Sequence, residues 1–360
     1  MEQEPTINRI PALDGWRGIA ILLVLIDHIE HAVLHRYAMP WMQTGQHGVT
    51  IFFVLSGFLI TAKLLEGPIH LGQFYLRRLF RLMPVAWTYL AAMLLFDGLM
   101  HTHFTSSAEV RACLFFYRNF AGGADGGASG HFWSLSLEEQ FYLVWPVLLL
   151  LAGVRRTRWI AVALTLACAT YRWLFWAWYD RNVWNGQTQV RCDALLVGCL
   201  LAFLLAEPRF LTAARRWANR LAVPALATLV FCIVRFHWLA PLYECVAITV
   251  LLAASILYPQ TVFAQLLSLK PLAWLGTISY SIYVWQALFM LPWSSAVRSW
   301  LFCVALPLFA IASYYWIEKP STRFGRRLTE APVSVRGANN FLLGNSRRRH
   351  SDASLPIQQK

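Results

Sequence analysis

The stretch Leu13–His31, which reads LDGWRGIAILLVLIDHIEH, decides the fold. Gly18 to Ile26 is continuously apolar and, with its flanks, is long enough to cross a bilayer. Arg17 precedes this run and His28 follows it, eleven positions further along. At about 100° per residue, this offset places both side chains on one stripe of a helix, about 16 Å apart along its axis. Ionisable groups at membrane depth are costly, so the stripe predicts a functional site.

The composition predicts an all-α integral membrane protein. Of the 360 residues, 58% are hydrophobic and 14% are charged, more apolar surface than a soluble domain of this size could cover. Segments of about 20 mostly apolar residues predict a bundle of about ten transmembrane helices. The predicted spans are approximately 16–34, 48–65, 82–100, 135–153, 159–178, 191–206, 220–236, 239–258, 271–291 and 300–317.

The positive charge of the chain is interpreted as membrane topology. The formal net charge is +13, and Lys and Arg concentrate in alternate connecting segments. The positive-inside rule places the richer side, with both termini, in the cytoplasm. No nucleic-acid partner is predicted, because orientation accounts for the basic residues. A membrane domain is predicted over residues 1–325. A cytoplasmic, disordered basic tail that touches anionic lipid headgroups is predicted over residues 326–360.

His28 has three interpretations. A lone histidine near the end of a span can be a simple interfacial residue. His28, His31 and His35 share helical spacing, but neither a cysteine nor paired carboxylates support a metal site, and none is predicted. Imidazole also suits a general base, because it exchanges protons near neutral pH. Asp27 and Glu30 point to other faces of the helix, so a carboxylate that orients His28 is expected from another span.

A second charged group is the run Arg77-Arg78-Leu79-Phe80-Arg81. One interpretation is a set of cytoplasmic side chains that extend toward the membrane surface. The other is a phosphate clamp. Arg78 and Arg81 are three positions apart, so both guanidinium groups face one way on a helix, and planar guanidinium binds phosphate oxygens in pairs. A cytoplasmic ligand with several phosphates would fit this clamp.

The segment HFWSLSLEEQFY, His131–Tyr142, places two acidic residues at the start of a span. Ser134 or Ser136 can cap a helix whose first turn contains Glu138. Capping does not explain why the acidic residues continue into apolar sequence, so Glu138 is predicted to belong to a site.

Two weaker signals have simple structural interpretations. Arg191 and Asp193 are close enough in sequence to pair with each other. The hydroxyl-rich run TISYSIYVWQ, Thr277–Gln286, can form hydrogen bonds between helices. The seven cysteines form no CxxC pair and are predicted to be packing thiols.

Six of these stretches, taken in order, resemble acyltransferase family 3, the bacterial integral-membrane acyltransferases that modify surface sugars. They are LDGWRGIAILLVLIDH with its Arg-x10-His spacing, GVTIFFVLSGFLI at Gly48–Ile60, YLRRLFRLMP with its Arg-x-x-Arg, FWSLSLEEQFYLVWP at Phe132–Pro146, RCDALLVGCLLA at Arg191–Ala202 and LGTISYSIYVWQ at Leu275–Gln286. The IEKP at Ile317–Pro320 also resembles the end of the family's domain. The resemblance covers about residues 10–325.

The resemblance implies ten spans, an acyl-CoA donor that enters from the cytoplasm, and an acceptor hydroxyl on the outer side. It also implies that His28 is essential and that Arg17, Arg78 and Arg81 serve donor binding or the architecture of the site.

Three features depart from the family's pattern. The family often has an acidic residue where Thr50 stands and a histidine where Gln286 stands, so neither is predicted to be catalytic here. Many members also carry a C-terminal extracytoplasmic hydrolase-like domain. Here a short basic tail follows the last predicted span, so we expect a stand-alone enzyme.

The sequence therefore predicts a membrane O-acyltransferase of the bacterial inner membrane. Its donor would be acetyl-CoA or another acyl-CoA, with no permanently bound cofactor, and its acceptor an extracytoplasmic polysaccharide, lipopolysaccharide or glycolipid. His28 would be a general base or acyl carrier, and Glu138 would orient His28 or the acceptor. Arg17, Arg78 and Arg81 would bind the donor phosphates. The competing hypotheses are a transporter or flippase for a small anion or lipid-linked sugar, and a non-enzymatic membrane sensor with a basic tail.

Overall fold

The computed structural model describes residues 10–32, 44–101, 105–121, 127–178, 186–234, 240–290 and 301–329. Every regular element in these ranges is helical, which confirms the predicted all-α class. The helices are α1 (Pro11–Ala32), α2 (Thr44–Leu65), α3 (Leu71–Met100), α4 (Ser107–Leu114), α5 (Phe132–Trp178), α6 (Thr188–Arg191), α7 (Asp193–Ala206), α8 (Pro208–Val234), α9 (Ala240–Leu257), α10 (Val262–Leu267), α11 (Lys270–Thr277), α12 (Ser279–Trp285), α13 (Leu306–Ser313) and α14 (Lys319–Thr329).

Each predicted span overlaps a helix, but the predicted number of spans is not confirmed. Among the described residues, α2, α3 and α8 are the three helices long and apolar enough to cross a membrane. The predicted span 271–291 is divided into α11, α12 and the 3-10 turn Gln286–Met290. The span 300–317 contains α13 between the π-helical turns Leu301–Ala305 and Tyr314–Glu318. A continuous apolar sequence therefore does not guarantee a continuous helix.

The predicted spans 135–153 and 159–178 both fall within α5. This helix has 47 residues, about twice the number that a membrane crossing requires. Gly153 interrupts it with a φ of 72° and a ψ of 163°, a conformation that favours glycine because a Cβ atom would be strained there. α5 therefore consists of two helical segments that meet where the first predicted span ends.

The predicted tail begins inside a helix. Residues 326–329 form the last turn of α14, and the remainder of the predicted tail, 330–360, lies outside the described residues. The segment 1–9 also lies outside them, so the orientation of both termini stays a prediction.

Neighbouring helices approach closely at glycines. A Cβ atom on Gly57 of α2 would lie 1.9 Å from the carbonyl oxygen of Leu195 in α7. One on Gly276 of α11 would lie 1.8 Å from the carbonyl oxygen of Asp14 in α1. Buried apolar side chains of α1, α2, α7 and α9 fill the space between these contacts. The close contact with α11 and the surrounding apolar side chains thus hold α1, the helix that carries Arg17 and His28, in place.

Gly57→Ala is expected to destabilise the protein. The added methyl group overlaps a backbone carbonyl that cannot rotate away, so α2 and α7 must separate, at a cost of about 1–3 kcal/mol. Thermal unfolding in detergent, followed by circular dichroism, would show the loss as a lower midpoint. Gly98→Ala in α3 is the matched control, because its Cβ atom would meet nothing within 4 Å. An unfolding midpoint for Gly57→Ala equal to that of Gly98→Ala would contradict the close contact.

Candidate active site

A cavity of about 850 Å³ lies among α1, α2, α3, α5, α12 and α14. Basic side chains dominate its charged lining: Arg17, Lys63, Arg77, Arg78, Arg81, Lys319, Arg323 and Arg326. The acidic lining residues are Asp14, Glu138 and Glu318. A cleft lined mainly by one sign of charge concentrates ligands of the opposite sign, so this cavity is suited to a polyanion.

The cavity brings together four of the five predicted site residues. Arg17 comes from α1, Arg78 and Arg81 come from α3, and Glu138 comes from α5. His28 is not among the lining residues. The predicted anion-binding residues and the predicted base therefore occupy neighbouring but separate places.

Arg78 is held on the cavity wall by two side chains of α5. Its guanidinium carbon lies 3.3 Å from the centroid of the Tyr142 ring, which is a close cation–π contact. Its Nε atom is 3.8 Å from Oε1 of Glu139. These neighbours restrict the guanidinium group to one orientation before any ligand binds, which reduces the entropy lost on binding.

Arg17 and Arg81 stand beside acidic groups on the same cavity. Nη1 of Arg17 donates to Oδ1 of Asp14 at 3.1 Å, one helical turn away. Arg81 interacts electrostatically with Arg17, Arg78 and Glu318. The three arginines repel one another across this short space, and an anionic ligand bound between them would relieve the repulsion.

Glu138 is tied to α2. The hydroxyl group of Ser56 donates to Oε1 of Glu138 at 2.7 Å. This hydrogen bond positions the carboxylate at the cavity wall. The proposed role of Glu138 in orienting His28 or an acceptor stays a prediction, because the contact in the structure is with a serine.

His28 pairs with Gln286, which the sequence analysis left out of the catalytic set. Nδ1 of His28 and Oε1 of Gln286 are 3.1 Å apart, and Gln286 is completely buried. An amide oxygen accepts a hydrogen bond, so this contact favours the tautomer with the proton on Nδ1 and the lone pair on Nε2. The orienting group does come from another helical segment, as expected, but it is an amide and not a carboxylate.

The cavity ends one helical turn from this pair. Ser134 Oγ and Tyr283 Oη line the cavity and are hydrogen-bonded to each other at 2.5 Å. Tyr283 also donates to the carbonyl oxygen of His131 at 3.1 Å. Gln286 follows Tyr283 by three residues, so the two side chains lie on the same side of the segment, about 5 Å apart along its axis. One end of the basic cavity therefore lies close to the His28–Gln286 pair.

His131 supports this end of the cavity as a neutral group. It lies immediately before α5 and outside the predicted spans, and burial, reinforced by the nearby His28, lowers its pKa to about 3. Its Nε2 atom donates to the carbonyl oxygen of Val284 at 3.0 Å. His131 thus acts here as a neutral hydrogen-bond donor.

The weaker sequence signals have structural roles. Asp193 pairs with Arg172 of α5, with Nη2 and Oδ2 2.5 Å apart, and it also interacts electrostatically with Arg191, the partner that the sequence suggested. The hydroxyl group of Ser281 donates to Oε2 of Glu318 at 2.7 Å, which confirms interhelical hydrogen bonds in the hydroxyl-rich run. Among the described residues, no group of three metal-ligating side chains occurs, and the side chains of His31 and His35 lie outside this description.

Comparisons with known proteins agree with the motifs. A family model described as an acyltransferase domain matches residues 10–317. The peptidoglycan O-acetyltransferase OatA of Listeria monocytogenes is 27% identical over 369 residues, which cover 93% of this chain and 57% of OatA. A Bacillus subtilis protein named "Putative peptidoglycan O-acetyltransferase YrhL" is 30% identical over 370 residues, which cover 88% of this chain and 56% of YrhL. The chain spans somewhat more than half the length of these relatives. No solved structure matches it significantly.

Proposed function

Because the chain belongs to this acyltransferase family, we propose that it is a membrane O-acetyltransferase. It would move an acetyl group from cytoplasmic acetyl-CoA to a hydroxyl group of an extracytoplasmic polysaccharide, lipopolysaccharide or glycolipid. The names of its relatives make peptidoglycan the first acceptor to test. The proposed location is the bacterial inner membrane with both termini in the cytoplasm.

The observation that carries the proposal is the basic cavity directed toward His28. Acetyl-CoA combines several phosphates with a long, thin arm that ends in the reactive thioester. The arginines of α1 and α3 would hold the phosphates by charge-assisted hydrogen bonds. The arm would then extend past Ser134 and Tyr283 to His28. A cavity of about 850 Å³ lies within the usual range for organic ligands.

His28 would carry the chemistry through Nε2, the ring nitrogen that does not contact Gln286. Nε2 would take the proton of the acceptor hydroxyl as its oxygen attacks the thioester carbonyl. The carbon–sulfur bond would then break, and the thiolate of coenzyme A would recover the proton from His28. In the alternative route, His28 would first accept the acetyl group and then pass it to the hydroxyl. Labelled acetyl-CoA without acceptor separates the routes, because only the second leaves label on the protein.

Inverted membrane vesicles test the function directly. Radiolabelled acetyl-CoA is added outside vesicles that contain the protein, and lumenal glycan is recovered after washing. Covalent label in the glycan, absent from vesicles that lack the protein, is the expected result. Label that enters the lumen but stays on a small soluble molecule would instead identify a transporter. Unlabelled glycan together with unlabelled lumen would overturn acetyl-CoA as the donor.

Gln286→Leu is expected to lower kcat for acetyl transfer by about 10- to 100-fold, because His28 loses the hydrogen bond that fixes its tautomer and ring orientation. The KM for acetyl-CoA should stay unchanged, since Gln286 lies beyond the phosphate-binding residues. Gln286→Glu retains an oxygen acceptor and should retain more of kcat than Gln286→Leu. Steady-state kinetics on purified protein, with unfolding midpoints as a control for folding, would measure both effects. Equal losses for the two variants, or a change confined to KM, would contradict the positioning role.

A further inference from the structure

The helix α14 lies beside α3 and contributes to the wall of the cavity. The aromatic rings of Phe80 and Phe324 have centroids 5.2 Å apart in an edge-to-face contact. Nε of Arg77 donates to Oγ1 of Thr329 at 2.6 Å. Gly325 lies so close to Phe80 that a Cβ atom would be 2.6 Å from the Cβ atom of the phenylalanine. These contacts fix the position of α14 against α3 along most of its length.

The basic residues of α14 form a single stripe on the cavity side. Lys319, Arg323 and Arg326 are spaced at i, i+4 and i+7, which places them on one face of a helix, and all three line the cavity. Arg327 is exposed in the same last turn but does not line the cavity. One helix thus presents three cations to the cavity and a fourth elsewhere, which provides an internal comparison.

The charges of α14 and α3 line the same cavity. α3 contributes Arg77, Arg78 and Arg81 to the lining, and α14 contributes the stripe Lys319, Arg323 and Arg326. Groups of like charge that line one cavity repel, and a ligand with phosphates near both helices would offset the repulsion. The arginines of the two helices also differ in solvent exposure. The side chain of Arg78 is largely buried, with 18% exposed, whereas Arg323 and Arg326 are on the exposed surface.

We propose that α14 is the second half of the donor clamp and binds the ribose 3′-phosphate of acyl-CoA. The inference rests on the proposed function, because it assumes this donor. The thioester must lie at the His28 end, so the nucleotide stays at the more exposed end of the cavity. Arg78 and Arg81 then meet the diphosphate, which is nearer the thioester. Arg323 and Arg326 bind the 3′-phosphate, which branches from the ribose at the end of the cavity farthest from His28.

Equilibrium binding of coenzyme A and 3′-dephospho-coenzyme A tests the assignment. The protein is placed in nanodiscs of zwitterionic lipid and compared with the double variant Arg323→Gln/Arg326→Gln and the control Arg327→Gln. The wild type should prefer coenzyme A, and the double variant should lose about 10-fold in affinity for coenzyme A but little for the dephospho form. Arg327→Gln should match the wild type.

Two results would overturn the proposal. A double variant with the wild-type preference for coenzyme A would show that α14 does not bind the 3′-phosphate. In the second result, the double variant keeps its coenzyme A affinity but loses the rise in unfolding midpoint that nanodiscs of anionic lipid give the wild type. That result would show that Arg323 and Arg326 bind the phosphates of lipid headgroups. Failure of the wild type to bind either nucleotide is a distinct outcome, since it would overturn the donor in the proposed function and with it this inference.

Discussion

Replacement of His28 by asparagine is expected to lower acetyl transfer by about 10²- to 10⁴-fold, the usual contribution of a general base. The amide nitrogen of asparagine occupies nearly the position of Nδ1, so it can still donate to Oε1 of Gln286. The variant therefore keeps the hydrogen bond that the structure shows at 3.1 Å and loses only the basic Nε2 atom. Transfer to lumenal glycan in inverted vesicles measures the effect, and acetyl-CoA affinity should stay near the wild-type value.

The control for this variant is a second histidine changed in the same way. His101→Asn alters an exposed residue that ends α3 in the left-handed conformation, which asparagine tolerates. This variant should transfer acetyl groups at the wild-type rate. If His28→Asn did so as well, His28 would be neither the base nor an acyl carrier. Loss of acetyl-CoA affinity together with activity would instead move His28 to the donor-binding residues.

Replacement of Arg78 by glutamine is expected to raise the KM for acetyl-CoA by about 10- to 100-fold, because the donor loses charge-assisted hydrogen bonds to a planar cation. The change also removes the contact with Tyr142 and leaves Glu139 without its nearest cation. Arg78→Lys keeps the charge but not the planar group, so its KM should lie between those of the wild type and Arg78→Gln. Donor titrations of steady-state transfer give these values.

Arg155→Gln is the control for the loss of one positive charge. Arg155 is exposed and does not line the cavity, so its removal changes the net charge without changing the clamp. The KM for this variant should equal that of the wild type. A KM for Arg78→Gln close to that of Arg155→Gln would contradict the phosphate clamp and would leave Arg78 as a cation that only supports α5.

The sequence identified four of the charged residues that line the cavity. Arg17, Arg78, Arg81 and Glu138 stand out because charge near hydrophobic segments has a cost that only a site or a partner can offset. The structure places all four on one cavity. Periodicity placed Arg17, Arg78 and Arg81 on helix faces, whereas Glu138 stood out because acidic residues continue into apolar sequence.

The residues that the sequence did not identify depend on long-range contacts. Gln286 is uncharged, and its importance comes from a partner 258 positions away in the chain. Arg323 and Arg326 join the cavity because long-range contacts such as that between Phe80 and Phe324 pack α14 against α3. The breaks within the predicted spans also depend on long-range contacts, because packing, and not hydropathy, decides where α11 ends and α12 begins.

The ion pair between Arg172 and Asp193 has a consequence for biogenesis. A lone arginine or aspartate costs about 2.5–3.5 kcal/mol at the centre of an inserting helix and less near its ends, where Arg172 and Asp193 lie. In the folded chain these two groups are buried and neutralise each other across the second half of α5 and α7. Insertion of either segment by itself would expose one charge to lipid. We therefore expect the translocon to release the two segments together, as a hairpin whose charges are already paired.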